Sequence, residues 1–287
     1  MGMIKKNIFL KFLGLATLLI SVCSASQEDY WNAKEYHHHS STQRNMASDL
    51  MKHISLKGDE TILDVGSGDG KITAKIAELL TTGDVVGLDI SPSMIAFATE
   101  QYPPEKYPNL SFLFKDGMDL NFDRNFDLVV SFAAINWLND HRVFLERVEK
   151  SLKSNGRVAI SSPMGLPDEI KKAVEELMQN EKWKEYFINF LTGWNFPSEE
   201  TFPKLLEEAG FEVLYFQVIN QKDIFPSKEA FKSFISQWFP YLRPLPADLK
   251  PIFMDEVINR FIELYPLDED EYLHFDIKRM EVVAMIK

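Results

Sequence analysis

Short apolar runs of strand length alternate with helical patterns along the first half of the 287-residue chain, after its leader. Thr61–Val65 is such a run, and Lys71–Leu80 then repeats apolar residues at helical spacing. Because strands that alternate with helices form βαβ units, the pattern predicts a parallel sheet covered by helices on both faces. Four further strand-like runs continue the rhythm: Asp84–Ile90, Leu110–Lys115, Phe126–Phe132 and Arg157–Ser161.

The last third of the chain follows a different pattern. Phe211–Val218 and Lys278–Ile286 have strand character, and a long helical stretch separates them, which predicts a late antiparallel pair. No low-complexity linker divides the sequence. We therefore expect one α/β domain over residues 27–287, with helical insertions at about 165–200 and 225–270.

The first 26 residues have the features of a targeting segment. Lys5, Lys6 and Lys11 precede the apolar run Phe12–Val22, and small residues follow it. The run is shorter than the roughly 20 residues that span a bilayer as a helix. Residues 1–26 are therefore interpreted as a signal-like or anchoring leader. Cleavage after export, a membrane tether through residues 4–22 and a wrongly assigned start all stay open.

Charge and cysteine content exclude several classes of function. The chain has 31 Lys and Arg against 43 Asp and Glu, a net charge of −12, and no basic patch. Such a protein has no general affinity for a phosphate backbone, so no nucleic acid partner is expected. Cys23 is the single cysteine of the sequence, which excludes an internal disulfide and a cysteine-built zinc site. No metal is expected.

A glycine-rich turn follows the first predicted strand directly. Gly66, Gly68 and Gly70 have the spacing GxGxG, whereas a dinucleotide fingerprint needs a glycine at position 71, where Lys71 stands. Asp64 comes two residues before the first glycine. A carboxylate at this point suits a cationic ligand group and would repel a pyrophosphate.

Two further acidic residues stand at the ends of the next strands. Asp89 ends the second strand, where a carboxylate can accept two ribose hydroxyls and disfavours a 2′-phosphate. Asp116 ends the third strand, where it can accept an exocyclic adenine amine. The indicated ligand is a nucleoside with free ribose hydroxyls, no phosphate and a cationic tail. S-adenosyl-L-methionine has each of these features.

The segments DVGSGDG, LDIS, FKDGMDL and FDLVVSFAAINWLND, in this order, resemble the class I S-adenosylmethionine-dependent methyltransferases. The resemblance implies a Rossmann-like, doubly wound seven-stranded sheet with six parallel strands and an antiparallel last strand. It implies that the glycines line the methionine part, with Asp64 near the α-amino group. The implied cofactor-binding set is Asp64, Gly66, Ser67, Gly68, Gly70, Asp89, Ile90, Met94, Asp116 and Gly117.

Each feature also has a purely structural interpretation. The glycine turn can be a plain loop, Asp89 can cap the helix that begins near Ser91, and Asp116 with Gly117 can form a turn. Three such features, each at a strand end, favour a binding site, because ligands of these sheets bind at the carboxyl ends of the strands.

The segment before the first strand and the Asn136-Trp137 pair resemble one branch of this family, the trans-aconitate, juvenile hormone acid and malonyl-carrier-protein methyltransferases. There a helix of the form Y…S..Q covers the cofactor, and a tryptophan after the fourth strand faces the substrate. Gln43 and Trp137 match those positions and are the predicted catalytic residues. Asn136 departs from the His or Gln expected there. The structural alternatives are a capping-box role for Gln43 and a core role for Trp137.

The remaining candidate residues are expected to have minor roles. The sequence His37-His38-His39 is interpreted as a solvated segment, and His141 as a surface residue. Aromatic residues are dense in Lys182–Trp194 and Lys228–Pro266, which predicts either a roof over the substrate pocket or a small hydrophobic core.

Three functions stay open. The first is O-methylation of the carboxylate of a small acid or acyl thioester, which needs no general base. The second is methylation of a phenol, amine or carbon acceptor, for which His141, Tyr36 or His37 to His39 would serve as the base. The third is a non-catalytic S-adenosylmethionine-binding protein. We expect the first, in the cytoplasm, where the cofactor is made.

Overall fold

The computed structural model describes residues 29–267, 269 and 271–287. The predicted leader, with its tether at residues 4–22, lies outside this part. Within the described residues, no helix combines the length and apolarity needed to cross a membrane. Residues Trp31–Lys287 form one compact unit.

The unit is built on one seven-stranded sheet with the strand order β3-β2-β1-β4-β5-β7-β6. Neighbouring strands from β3 to β5 pair in parallel, and β7 runs antiparallel to both β5 and β6. The predicted sheet of six parallel strands and an antiparallel last strand is therefore confirmed. The strands are β1 Thr61–Val65, β2 Asp84–Asp89, β3 Leu110–Phe114, β4 Phe126–Phe132, β5 Leu152–Pro163, β6 Phe211–Phe225 and β7 Leu273–Ile286.

Nine α-helices are present in the described residues, and four short 3₁₀ turns accompany them. The helices are α1 Ala33–His39, α2 Ser41–Met51, α3 Lys71–Leu79, α4 Pro92–Gln101, α5 His141–Ser151, α6 Asp168–Met178, α7 Phe202–Glu208, α8 Lys228–Ser236 and α9 Lys250–Leu264. The 3₁₀ turns are Gly117–Asp119, Ile135–Trp137, Lys184–Phe187 and Pro240–Leu242.

The order of the strands determines where a ligand can bind. β1 pairs with β2 on one side and β4 on the other, so the chain changes direction across the sheet at this point. Connections that leave in opposite directions open a crevice at the carboxyl ends of these strands. The glycine-rich turn follows β1 and therefore lies at this crevice.

The last two strands are longer than the sequence pattern predicts. β6 continues past Val218 to Phe225, which pairs with Leu273 at the start of β7. The added part of β6 carries polar residues on both faces, Gln221 and Asp223 on one and Asn220 and Lys222 on the other, so it lacks the apolar run that identifies a strand. Gln221 Nε2 donates to Asp223 Oδ2 at 3.0 Å. Local hydrogen bonding therefore replaces apolar burial in this stretch.

A second hydrophobic core lies against these extended strands. It combines α6, α8 and α9 with the ends of β6 and β7, and Trp183, Phe231 and Phe253 are fully buried in it. The aromatic-rich insertions therefore form a core of their own, and part of it also lines a cavity described below.

Candidate functional site

The glycine-rich turn between β1 and α3 has a backbone that favours glycine. Gly66, Gly68 and Gly70 have φ of 80°, 53° and 77°, in the left-handed region that side chains disfavour. A Cβ at Gly66 would also lie 2.3 Å from the Cβ of Ala134. The backbone N–H groups of Gly66 and Ser67 donate to the carbonyl of Leu88, at 2.8 and 2.9 Å. The turn is therefore fixed to the end of β2.

A cavity of about 340 Å³ lies between this turn and helices α1 and α2, and we call it the turn cavity. Its walls combine glycine backbone, buried carboxylates and one arginine, a mixture that suits a ligand with both charges. The lining residues are Tyr36, Ser40, Gln43, Arg44, Asp64, Gly66, Ser67, Gly68, Asp69, Ile72 and Phe132.

Asp64 is the most deeply buried carboxylate of the turn cavity, with 1% of its surface exposed. Thr73 Oγ1 donates to its Oδ2 at 2.7 Å. Burial raises the pKa of Asp64 to about 7, and the negative charges of Asp89 and Asp69 add to this effect. A cationic group in the cavity would therefore favour the ionised form of Asp64.

Asp89 connects β2 to the glycine turn. Its carboxylate accepts the backbone N–H of Gly68 at Oδ2 and that of Ser91 at Oδ1, each at 2.9 Å. The cap of α4 is Ser91 itself, whose hydroxyl accepts the N–H of Met94 at 3.1 Å. The carboxylate therefore supports the turn from the end of β2, and Asp89 is not among the residues that line the turn cavity.

Four other predicted cofactor residues, Ile90, Met94, Asp116 and Gly117, are not among those that line the turn cavity. Asp116 is exposed, and its carboxylate accepts the N–H of Met118, at 2.8 Å, at the start of the 3₁₀ turn. Ile90 is exposed, whereas Met94 and Gly117 are buried. The structure thus gives Asp116 the turn-forming contact that was its structural alternative.

Gly70 differs from the expectation that it lines the methionine part. A Cβ at this position would lie 2.6 Å from Phe112 Cζ and 2.9 Å from Ala98 Cβ. Gly70 therefore allows the turn to pack against β3 and α4, and it is not among the lining residues of the turn cavity.

Helix α1 covers the turn cavity through contacts that the sequence did not indicate. His37 Nδ1 lies 2.8 Å from Asp69 Oδ2, and the Lys71 ammonium donates to the carbonyl of His37. The expectation of a solvated segment is therefore wrong for His37, because the glycine turn provides a carboxylate partner for its ring. No metal-binding group of three or more side chains occurs in the part of the chain that was described.

Gln43 does not take the capping-box role that was its structural alternative. Ser40 joins α1 directly to α2 with φ of −88° and ψ of 32°, and its hydroxyl makes no cap hydrogen bond within the described chain. Gln43 is buried, and its Oε1 has no hydrogen-bond partner among the described residues. The side chain is therefore available to a ligand.

Two contacts attach α2, which carries Gln43, to the last two strands. Thr42 Oγ1 donates to Asp223 Oδ2 at 2.9 Å, and Arg279 donates to Asp49 Oδ2 at 2.8 Å. Arg279 is itself buried. The strand extension that sequence analysis missed thus positions the predicted catalytic glutamine.

A second cavity, of about 600 Å³ and partly open to solvent, adjoins the first, and we call it the aromatic cavity. Tyr36 and Gln43 line both cavities and form the wall that they share. The predicted catalytic residue Trp137 lines the aromatic cavity only. The other lining residues are Trp31, Thr42, Met46, Ala133, Asn136, Pro163, Gly165, Leu166, Trp194, Phe196, Phe234, Trp238, Phe275 and Ile277.

Four tryptophans form a continuous row along this cavity. The ring centroids of Trp31 and Trp137 lie 5.6 Å apart, those of Trp137 and Trp194 5.7 Å, and those of Trp194 and Trp238 6.2 Å. The Arg243 guanidinium carbon lies 5.0 Å from the Trp137 ring centroid. We call these four residues the tryptophan row. From the sequence, Trp137 was predicted to face the substrate, and the segments that carry Trp194 and Trp238 were predicted to form a roof over the pocket or a small core. The contacts between the individual tryptophans were not predicted.

The aromatic cavity lacks a general base within the described residues. None of its lining side chains is Asp, Glu, His, Lys or Arg. Burial raises the pKa of Tyr36 far above its ordinary value, so this phenol stays protonated near neutral pH. His141 is buried against Phe202 with its Nε2 3.0 Å from the carbonyl of Ile135, and it does not line the cavity. The expected surface position of His141 is therefore wrong.

Buried polar atoms without a partner cluster at the two cavities. Six of the eight such side-chain atoms in the described part of the chain belong to lining residues. An unpaired buried polar atom costs about 1–3 kcal/mol, and a bound ligand removes that cost. The six atoms are Ser40 Oγ, Gln43 Oε1, Ser67 Oγ, Asn136 Oδ1, Trp194 Nε1 and Trp238 Nε1.

The chain is similar in sequence to curated methyltransferases. It is 30% identical to an uncharacterized methyltransferase of Schizosaccharomyces pombe, over 68% of this chain and 75% of that protein. It is 25% identical to the trans-aconitate 2-methyltransferase of Shigella flexneri serotype 5b, over 88% of this chain and 97% of that protein. It is also 25% identical to the juvenile hormone acid O-methyltransferase of Drosophila melanogaster, over 81% of this chain and 83% of that protein.

A solved structure shows the same fold. The phosphoethanolamine N-methyltransferase 2 of Haemonchus contortus, in complex with S-adenosyl-L-methionine, superposes with a TM-score of 0.57 at 18% identity. The match covers 93% of this chain and 60% of that one. The sequence model of the family described as a methyltransferase domain matches residues 56–236, which include β1 to β5 and the glycine turn. The chain belongs to the S-adenosylmethionine-dependent methyltransferases.

Proposed function

We propose that this protein transfers a methyl group from S-adenosylmethionine to the carboxylate oxygen of a small, largely apolar acid or acyl thioester, within a domain that spans residues 27–287. The observation that carries the proposal is the position of Gln43. Its buried amide side chain belongs to the wall that the turn cavity shares with an aromatic cavity free of bases.

The turn cavity suits the cofactor by the chemistry of its donors and acceptors. Asp64 would take the α-amino group, and Arg44 would take the carboxylate of the methionine part, because each provides the opposite charge. Ser67 has an unpaired hydroxyl there, and Gly68 presents bare backbone. Sequence analysis missed Arg44, although it directly follows the predicted Gln43.

Asp89 is the proposed ribose-binding residue. It stands at the carboxyl end of β2, where a carboxylate can accept the hydroxyls of a ribose. We propose Ile90, Met94, Asp116 and Gly117 as neighbours of the adenine and ribose, since they stand after β2 and β3.

S-adenosylmethionine, when bound, supplies an electrophilic methyl group on a sulfonium that leaves as a neutral thioether. A carboxylate acceptor is already ionised at neutral pH, so the protein needs no general base. This agrees with an aromatic cavity whose single titratable lining residue, among those described, is the protonated Tyr36.

The protein's own part in the reaction is to hold the acceptor. Gln43 and Trp137 provide neutral N–H donors, which orient a carboxylate without the tight ion pair that would lower its nucleophilicity. The aromatic walls keep water away, and orientation of this kind accounts for up to roughly 7–11 kcal/mol of a barrier. The names of two relatives, for trans-aconitate and juvenile hormone acid, also refer to acids.

The test is a turnover assay against a panel of carboxylic acids, acyl thioesters, phenols and amines, in which product masses are measured. We expect the products of this assay to be methyl esters of acids. In the cell, we expect the reaction to take place in the cytoplasm, where the cofactor is made. Gln43→Glu should suppress the methylation of acids, since the added charge repels a carboxylate, and Gln43→Leu should reduce it less. Products from phenols or amines alone, or an amine activity that Gln43→Glu increases, would contradict the proposal.

A further inference from the structure

Trp194 and Trp238, which follow Trp137 in the tryptophan row, carry polar groups without a partner among the described residues. The indole N–H groups of Trp194 and Trp238 are shut off from solvent and make no hydrogen bond within the described chain. An indole N–H can only donate, so each needs an acceptor atom. Both residues line the aromatic cavity.

Trp183, in the same helical region, is a buried tryptophan whose indole N–H has a hydrogen-bond partner. Its Nε1 donates to Glu256 Oε2 at 2.6 Å, although the ring is fully buried. The rings of Trp194 and Trp238 instead pack against other rings, with Phe196 at 5.3 Å and Phe234 at 5.5 Å between centroids. The unpaired state is therefore a property of the cavity and not of buried tryptophans in this protein.

The charge of the cavity limits which acceptor group can bind there. A reacting carboxylate has the cationic sulfonium of the cofactor as its counter-charge. A second carboxylate on the same molecule would meet no Lys, Arg or His among the described residues that line the aromatic cavity. Arg243 lies against the Trp137 ring and donates to the carbonyl of Thr192. Burial of an uncompensated charge is unfavourable, so the second acceptor must be neutral.

We propose that Trp194 and Trp238 form a second recognition point, which binds a neutral oxygen, such as a ketone, ester or ether oxygen, on the body of the acid. The substrate is then a monocarboxylic acid with an apolar, oxygen-bearing chain, and polycarboxylic acids are poor substrates. This inference rests on the proposed function, and it adds the substrate class and two specificity-determining residues.

The experiment compares decanoic acid with oxodecanoic acids in which the ketone is moved along the chain. The wild-type protein should favour one ketone position by about tenfold or more in kcat/KM, since one hydrogen bond to a buried donor changes affinity by about this factor. Trp194→Phe and Trp238→Phe should remove that preference, so that the oxo acid and decanoic acid react with nearly equal kcat/KM. Trp137→Phe, the matched control, should slow both acids equally and keep the preference.

Calorimetry with the methyl esters of the same acids measures recognition without turnover. The ester of the favoured oxo acid should bind more tightly than methyl decanoate, by a similar factor. A wild-type protein that shows no ketone preference in either measurement, or prefers a tricarboxylic acid, overturns the inference while the proposed function stands. If no acid is methylated, the proposed function fails, and an ester preference that Trp194→Phe and Trp238→Phe remove would still support the recognition point.

Discussion

The turn cavity and the aromatic cavity share a wall, yet their lining residues differ in charge and chemistry. The turn cavity, of about 340 Å³, offers glycine backbone, buried carboxylates and one arginine. The aromatic cavity, of about 600 Å³, has no charged side chain among its described lining residues. Fixed charges and backbone suit a cofactor that never changes, whereas ring surfaces with a few neutral donors suit the choice of an acceptor. Substitutions in one cavity should therefore leave the function of the other unchanged.

The largest effect is expected at Asp89. Asp89→Ala should weaken S-adenosylmethionine binding by roughly 2–4 kcal/mol, because it removes two charge-assisted hydrogen bonds to the ribose. It also frees the N–H groups of Gly68 and Ser91. Calorimetry with the cofactor measures the loss, and the order of preference among acids should not change. Asp89→Asn is the matched control, since its amide oxygen still accepts one N–H, and it should lose less.

Wild-type cofactor affinity in Asp89→Ala would mean that the ribose lies elsewhere. A changed order of acids with unchanged cofactor affinity would show that the two cavities are not independent at this point.

The turn cavity could be predicted from sequence because its central residues are close along the chain. Asp64, Gly66 and Gly68 occur within five positions of one another, and the end of a strand fixes where they lie. The predicted bounds of β1 and β4 are those of the structure. Local spacing was sufficient here, because a tight turn leaves few conformations.

The aromatic cavity could not be predicted in the same way. Its tryptophan row joins residues 31, 137, 194 and 238, and the contacts depend on how the insertions pack on β6 and β7. The length of β6 was also missed, because polar residues such as Gln221 and Asp223, which are joined by a hydrogen bond, break the apolar pattern there. Long-range packing of aromatic rings has no periodic signature in a single sequence.

The second prediction concerns the acceptor side. Trp137→Phe keeps most of the ring surface in contact with Trp31 and Trp194 and deletes the N–H donor. Turnover should fall by about tenfold to a hundredfold, which corresponds to one orienting hydrogen bond of about 1.5–3 kcal/mol. Cofactor affinity should be nearly unchanged, in contrast to Asp89→Ala. Turnover at saturating cofactor and calorimetry separate the two effects, and a loss confined to cofactor binding would be evidence against the acceptor role.

The third prediction uses the buried carboxylate of the turn cavity. The pKa of Asp64 is about 7, so the free protein holds this group mostly protonated below that pH. A cationic α-amino group needs the ionised form, and therefore cofactor affinity should fall about tenfold for each pH unit below 7 and level off above it. Calorimetry between pH 6 and 8 measures the slope, and proton release on binding near pH 7 confirms its origin.

Asp64→Asn is the control for this slope, since it keeps the shape without the titration. The variant should bind the cofactor weakly at every pH in the range. Without cofactor, the wild-type free energy of unfolding should decrease as pH rises from about 4 to about 7, because the folded state binds the proton more tightly than the unfolded state. An unchanged slope in Asp64→Asn would assign the titration to another group.

The smallest effect is expected at His141, which distinguishes a base-free aromatic cavity from one that contains a hidden base. Its Nε2 lies 3.0 Å from the carbonyl of Ile135, and burial lowers its pKa below the ordinary 6.5. His141→Gln keeps a donor near that carbonyl, so turnover at saturating cofactor should stay within about twofold and its pH profile should remain flat above the pKa of the acid.

The substitution of His141 should instead change how the stability depends on pH. A histidine that folding holds neutral makes the free energy of unfolding fall as pH drops below about 6.5, because the unfolded state then binds more protons, and the variant should lose this dependence. Chemical denaturation at pH 5 and pH 8 measures it. If turnover is abolished in a folded variant, and the wild-type rate declines at acidic pH, His141 acts as a base, and the acceptor is then a phenol, an amine or a carbon acid.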